Sequence, residues 1–211
     1  MKITDIKIYA AEYAQTSKSL TNKKWVFLKM ETDEGIHGWG EVGSSVNVSE
    51  NFMATAIKEV SPQLIGENPM DIDRLWNKLF RMFSYMGSRG FTTSLTAGFD
   101  IALWDIKGKV SGLPVYDLLG GRYRDPVRLY CNAWFTGCYT PEEYAKAAKS
   151  NVVDNGHTAC KLDPFLEMTQ YHTMYQDGFI SEEGEQLGYD IVAAVREVVG
   201  PEIEILVDAH G

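Results

Sequence analysis

The sequence predicts an α+β domain followed by the first units of a parallel β/α array. Three observations carry that prediction. Strand patterns, opened by the alternation of Ile3, Ile6 and Ile8, run as far as Glu41, and apolar residues recur at helical spacing from Phe52 to Val110. Beyond Gly120-Gly121, short apolar strands alternate with helices. The change of pattern divides the chain into residues 1–125 and residues 126–211.

In the first part Ile3, Ile6 and Ile8 open a strand. A second strand spans Trp25–Glu31, marked by Val26-Phe27-Leu28, and a third surrounds Gly35–Glu41. Asp33-Glu34-Gly35 supplies the turn that makes these two a hairpin. Gln15 to Lys24 is polar and aperiodic, and reads as a loop. Phe52, Ala56, Ile57, Val60 and Leu64 then form a helical stripe, with Ser49 as N-cap and Pro62 near its end. Asp71 or Asp73 caps a second helix through Leu75, Trp76, Leu79 and Phe83, which the segment Ser84 to Gly90 breaks. A long helix runs from Thr93 to Val110 and stops at Gly112-Leu113-Pro114. Its core residues are Ile101, Leu103, Trp104 and Ile106, while Asp100 and Asp105 are expected to pair with Arg or Lys or to cap backbone groups. Gly120-Gly121 frees the backbone to turn into the second part.

There, Val127–Asn132 is a strand, and Pro141–Asn155 a helix with Thr140 as N-cap and Gly156 at its C-terminal end. Ala159–Asp163 is a strand, Glu183–Val199 a helix closed by Gly200-Pro201, and Ile203–Asp208 a strand. A β-α-β-α-β order winds a parallel sheet. Too few residues follow Asp125 to close a (β/α)8 barrel, which takes ~250. The chain therefore reads as a fragment of a longer protein, or as one whose barrel something else completes.

Composition narrows the function classes. Of 211 residues, 45% are hydrophobic, enough for a real core, and the net charge is −9 with no basic run. That balance argues against nucleic-acid binding, which needs a Lys/Arg footprint. Cys131, Cys138 and Cys160 form no C-x-x-C pair, and such usage suits buried free thiols in a reducing compartment. The N-terminus reads as a strand, with no apolar run of a signal peptide, and no window approaches a membrane span. A cytoplasmic protein is the expectation.

Three passages together carry a family resemblance. They are Gly38-Trp39-Gly40-Glu41, the long run from Ala97 through Asp100, Trp104, Asp105 and Lys107 to Gly120-Gly121, and Lys161 followed by Val207-Asp208. In this order they resemble the mandelate racemase-like branch of the enolase superfamily. The resemblance implies an α+β capping domain followed by the first β/α units of a (β/α)8 TIM-like barrel. It also implies Mg²⁺-dependent abstraction of the proton α to a carboxylate, a small-molecule acid substrate, and a homo-oligomer at full length.

The candidate residues follow from that chemistry. A dianionic enediolate needs electrostatic stabilisation, which this superfamily obtains from a Lys or His base and Mg²⁺. A hard cation takes oxygen ligands, and Asp208 stands where the family places the first of its carboxylates, at the end of the third barrel strand. Read alone, Asp208 is equally an N-cap for a following helix. His210, two residues on, resembles the general acid of acid-sugar dehydratases, since hydroxide departs only when protonated; read alone, it is a solvated loop histidine. Lys161 and Asp163 are related as i and i+2 on the second strand. Racemases of the family carry Lys-x-Lys here, so Lys161-Leu162-Asp163 departs from their pattern. Lys161 then binds the substrate carboxylate or stabilises the enediolate. Asp163 binds substrate hydroxyls, holds Lys161 as an ion pair, or simply shapes the turn before Pro164. The general base falls outside the chain. Lys18, Lys24 and Arg89 occupy capping-domain segments that close over substrate in this family, and are candidate anion contacts. The long connection from Pro164 to Glu183, with Tyr171, His172, Tyr175 and Phe179, is expected at the mouth of the site. The expected reaction is dehydration of an aldonate or aldarate to a 2-keto-3-deoxy acid. The alternatives are a cycloisomerase or epimerase built on the same intermediate, and a catalytically inert fragment.

Overall fold

A computed structural model of the chain describes residues 1–12, 24–43, 50–87, 89–165, 175–176 and 179–209. The described residues form two compact units that meet in sequence between Asp125 and Pro126.

The first unit opens with β1 (Ile3–Glu12), β2 (Lys24–Thr32) and β3 (His37–Glu41), an antiparallel sheet in the order β1-β2-β3. Alternation gives it one apolar face: Val26, Leu28 and Met30 of β2 are buried and sit opposite Ala10, Ile8 and Ile6 of β1. Against that face lie α1 (Glu50–Val60), α2 (Ile72–Met82) and α3 (Phe91–Ser111). The core stripe of α3 is Leu95, Phe99, Ala102, Leu103 and Ile106, the i, i+3/i+4 spacing of one helical face. Ile101 was expected in that core but is 48% exposed, because it falls on the opposite side of the helix. Gly112 ends α3 in the left-handed region at φ 64°, a conformation that glycine adopts without Cβ strain.

Two glycines bring sheet and helix unusually close. A Cβ on Gly38 would lie 2.0 Å from the Ala102 carbonyl oxygen, and one on Gly40 would lie 1.9 Å from that of Gly98. Between them the Trp39 N–H donates to Asp105 Oδ2 at 2.8 Å, and Lys109 Nζ bonds both Asp105 Oδ2 and the His37 carbonyl. Asp105 thus pairs with a lysine and caps a backbone group, and α3 covers the open edge of β3. Beyond a short α4 (Val115–Leu118), Gly120 and Gly121 turn the chain at φ 115° and 91°.

The second unit contains α5 (Pro141–Ala148), a π-type turn (Lys149–Val153), β4 (Ala159–Leu162), a small hairpin of β5 (Tyr175–Gln176) and β6 (Phe179–Ile180), α6 (Glu182–Val199) and β7 (Glu204–Val207). α5 starts with a complete capping box: Thr140 accepts the Glu143 N–H, and the Glu143 carboxylate accepts the Thr140 N–H. Ser181 caps α6 by accepting the Gly184 N–H, and Gly200 ends it. β4 and β7 pair in parallel, Ala159 against Glu204 through Leu162 against Val207. Tyr144, Ala148 and Val152 from α5 and its extension, with Ile191, Val195 and Val199 from α6, pack on Cys160 and Leu162.

The predicted strand Val127–Asn132 reduces to a single bridge. Cys131 N–H donates to the Ala159 carbonyl at 2.9 Å and its carbonyl accepts the Lys161 N–H at 2.8 Å. Ahead of it, the segment is tied to the residue before β4 and to β7 through the Arg128 side chain. Arg128 donates to the Thr158 carbonyl at 2.7 Å and pairs with Glu204 at 2.7 Å, while Val127 and Leu129 are exposed. All three cysteines are thiols, Cys138 and Cys160 buried and Cys131 partly so. No described helix is long and apolar enough to cross a membrane.

Candidate active site

The ends of β4 and β7 bring chemistry-bearing side chains together. In the parallel register Lys161 stands beside Leu206 and Leu162 beside Val207, so the residues that follow, Asp163 and Asp208, emerge at one strand-end level. The Asp208 N–H extends the ladder by donating to the Leu162 carbonyl at 2.9 Å. Side chains two apart share a face, which sends Lys161 toward that level. Its Nζ meets Asp208 Oδ2 at 2.6 Å, with the two side chains 21% and 35% exposed.

This pair sets the charge state of the lysine. The hydrogen bond that Lys161 donates to Asp208 raises the Lys161 pKa above its ordinary value, outweighing the lowering effect of partial burial, and Asp163 adds to the rise through its charge. Lys161 is therefore an ammonium at neutral pH. It suits the stabilisation of developing negative charge better than proton abstraction.

Asp163 has a different environment. It is 2% exposed, and its Oδ1 accepts the Phe165 N–H at 2.9 Å, an Asx-type turn that fixes the chain beyond Pro164. The Tyr144 hydroxyl donates to the Asp163 carbonyl at 3.4 Å. Lys161 forms its ion pair across the sheet with Asp208. Tyr144 was not singled out in the sequence, where it reads as one residue of an apolar stripe. The available signal is that a buried phenol needs a hydrogen-bond partner.

The remaining candidates are placed as follows. Lys24 opens β2 opposite Glu12, and its side chain lies outside the described residues. So do Lys18, Ser49, Tyr171, His172 and His210. Arg89 is exposed in the first unit, where its carbonyl accepts the Thr92 hydroxyl at 3.3 Å. Phe179 is exposed on β6. Among the described residues no three His, Cys, Asp or Glu side chains gather as a metal would require. Asp208 fits a hard cation as one oxygen ligand, but these residues alone do not complete a Mg²⁺ site.

Residues 5–120 match the family described as Mandelate racemase / muconate lactonizing enzyme, N-terminal domain. The chain belongs to the mandelate racemase/muconate lactonizing enzyme family. Its relatives in that family include a D-galactonate dehydratase of Pectobacterium atrosepticum, 37% identical over all of this chain and 49% of the relative. A D-gluconate dehydratase of Thermoproteus tenax is 31% identical over 98% of this chain and 42% of its own length. Among solved structures, a member of the enolase superfamily from Salmonella Typhimurium superposes with a TM-score of 0.79 at 33% identity, covering 99% of this chain and 55% of that one. The chain thus spans about half the length of the curated relatives that it matches. Its first unit is the family's α+β capping domain.

Proposed function

We propose that the chain supplies the capping domain and the first barrel strands of an acid-sugar dehydratase. The reaction removes the proton from C2 of an aldonate or aldarate and the hydroxyl from C3. The C2–H bond breaks toward a base, the C3–O bond breaks as the hydroxyl takes a proton and leaves as water, and the enol product becomes a 2-keto-3-deoxy acid. The observation that carries this proposal is the Lys161–Asp208 pair at adjacent strand ends, since catalytic groups of a β/α barrel stand at that edge. The dehydratase names of the relatives support the same substrate class.

In this scheme the Lys161 ammonium faces the substrate carboxylate, where charge grows as the α-proton departs. Fixed donors aimed at growing charge contribute roughly 10²–10³-fold in rate. Asp163, which the sequence assigns first to substrate hydroxyls, here holds the Pro164–Phe165 turn that fixes the strand end. Asp208 contributes one carboxylate toward Mg²⁺, which when bound supplies Lewis-acid stabilisation of the same charge. His210 delivers the proton to the leaving hydroxyl. The single lysine of Lys161-Leu162-Asp163 speaks against a Lys-x-Lys racemase.

The test uses the intact enzyme that carries this chain, incubated with Mg²⁺ and a panel of aldonates and aldarates in deuterated buffer. Formation of a 2-keto-3-deoxy acid from D-galactonate, D-gluconate or a stereoisomer is expected. His210→Asn should stop product release yet retain deuterium exchange at C2. Racemisation of a simple α-hydroxy acid with no keto product would overturn the proposal.

A further inference from the structure

We propose that the cleft between α2 and α3 is a binding site for a small organic cation with a guanidinium-type head. The cleft has a volume of about 150 Å³ and is walled by Trp76 and Phe80 from α2, by Phe83 at its C-cap, and by Thr92, Thr96 and Asp100 from α3. A cavity of about that volume accommodates a guest of benzene's size in another protein.

The walls define the guest's chemistry. The Trp76 and Phe80 rings stack with centroids 5.1 Å apart at 11°, yet remain 40% and 39% exposed. Their faces are thus partly open, and an aromatic face attracts a cation through its quadrupole. The Thr92 and Thr96 hydroxyls already donate to main-chain carbonyls. Asp100 was expected to pair with Arg or Lys, but it has no ion pair or hydrogen bond among the described residues.

Among the described residues no Lys or Arg lines the cleft; Arg74 pairs with Glu67 and Asp71, and Lys107 lies over the Trp104 ring at 5.2 Å. Asp73 lies three and seven residues before Trp76 and Phe80, on the same face of α2, and its charge disfavours ionisation of Asp100. Partial burial acts in the same direction and is the larger cause of the raised Asp100 pKa. An anion would be repelled, and a neutral apolar guest would leave the Asp100 carboxylate desolvated without a partner. A planar guanidinium stacks on an aromatic face and bonds a carboxylate in two places, so it meets both features at once. The site belongs to the capping unit and does not depend on the dehydratase proposal.

The test is a titration of the full ¹⁵N-labelled chain with ethylguanidinium chloride, following the Trp76 indole resonance assigned through Trp76→Phe. Sodium chloride and neutral N-ethylurea serve as matched controls. A saturable shift with ethylguanidinium alone is expected. Asp100→Asn, which removes a half-buried charge without a partner, should weaken it on the order of tenfold, while Asp100→Glu should keep most of it. No saturation, equal binding of N-ethylurea, or undiminished binding by Asp100→Asn would overturn the proposal. Sedimentation velocity then assigns the source. Dissociation of an oligomer by ethylguanidinium identifies the natural occupant as a side chain of a second copy, and an unchanged mass identifies a soluble cation.

Discussion

Replacing Gly40 by alanine drives a methyl group into the backbone of α3. The new Cβ would stand 1.9 Å from the Gly98 carbonyl oxygen and 3.2 Å from the Ala102 nitrogen. Real Cβ contacts begin near 3.0 Å, so strand and helix must separate by roughly 1 Å, and neither contact is a side chain that can swing aside. A gap of about 0.5–1 Å forfeits a quarter to a half of each dispersion contact along the interface. That interface includes Leu95, Phe99, Leu103 and Ile106, all buried. The expected cost is about 3 kcal/mol, the upper part of the range for overpacking. With a urea slope of about 2 kcal/mol per molar, the unfolding midpoint of the first unit falls by about 1.5 M. The assay is urea unfolding followed by tryptophan fluorescence, with Gly43→Ala as control, because a Cβ there meets nothing within 4 Å. If Gly40→Ala unfolds at the same midpoint as Gly43→Ala, the close approach is not what the Gly-Trp-Gly segment provides.

Thr140→Ala removes the capping box of α5 and should cost about 1 kcal/mol in thermal or denaturant unfolding. Glu67 hydrogen-bonds Arg74 at 2.6 Å and Lys78 at 2.7 Å, and these bonds lower its pKa from 4.5 to about 2. Its contribution is therefore complete above the unfolded value and is lost as pH falls from there through about 2. Glu67→Gln should destabilise the chain at pH 7, by roughly 1 kcal/mol for a surface network, and by nothing measurable near pH 2. In the intact enzyme Lys161→Met should lower kcat/KM by roughly 10²–10³-fold. Lys161→Arg, which keeps the charge, should recover part of that loss in a direct assay of keto-acid release; equal activity in Lys161→Met and wild type would remove Lys161 from the mechanism.

Much of this architecture was legible in the sequence, because local chemistry determines it. Period-two alternation in β1, the Thr140 cap, Gly112 after α3 and the helical stripes each reflect interactions between residues close in sequence. They placed most of the strands and helices to within a few residues. The tertiary structure alone decided what depends on neighbours distant along the chain. Gly38 and Gly40 serve the approach of a helix some sixty residues later, and no local pattern reveals that. Val127–Asn132 carries an apolar strand pattern, yet only Cys131 bridges to β4, and Val127 and Leu129 stay exposed with no apolar face among the described residues to cover them. Asp100 and Asp105 look alike in one helix, but Asp105 faces Lys109 and the edge of β3 while Asp100 faces an aromatic cleft. Lys161 and Asp208 are 47 residues apart. The sequence by itself determined their identities and their positions on two strands, and only parallel pairing in register put the ammonium within 2.6 Å of the carboxylate.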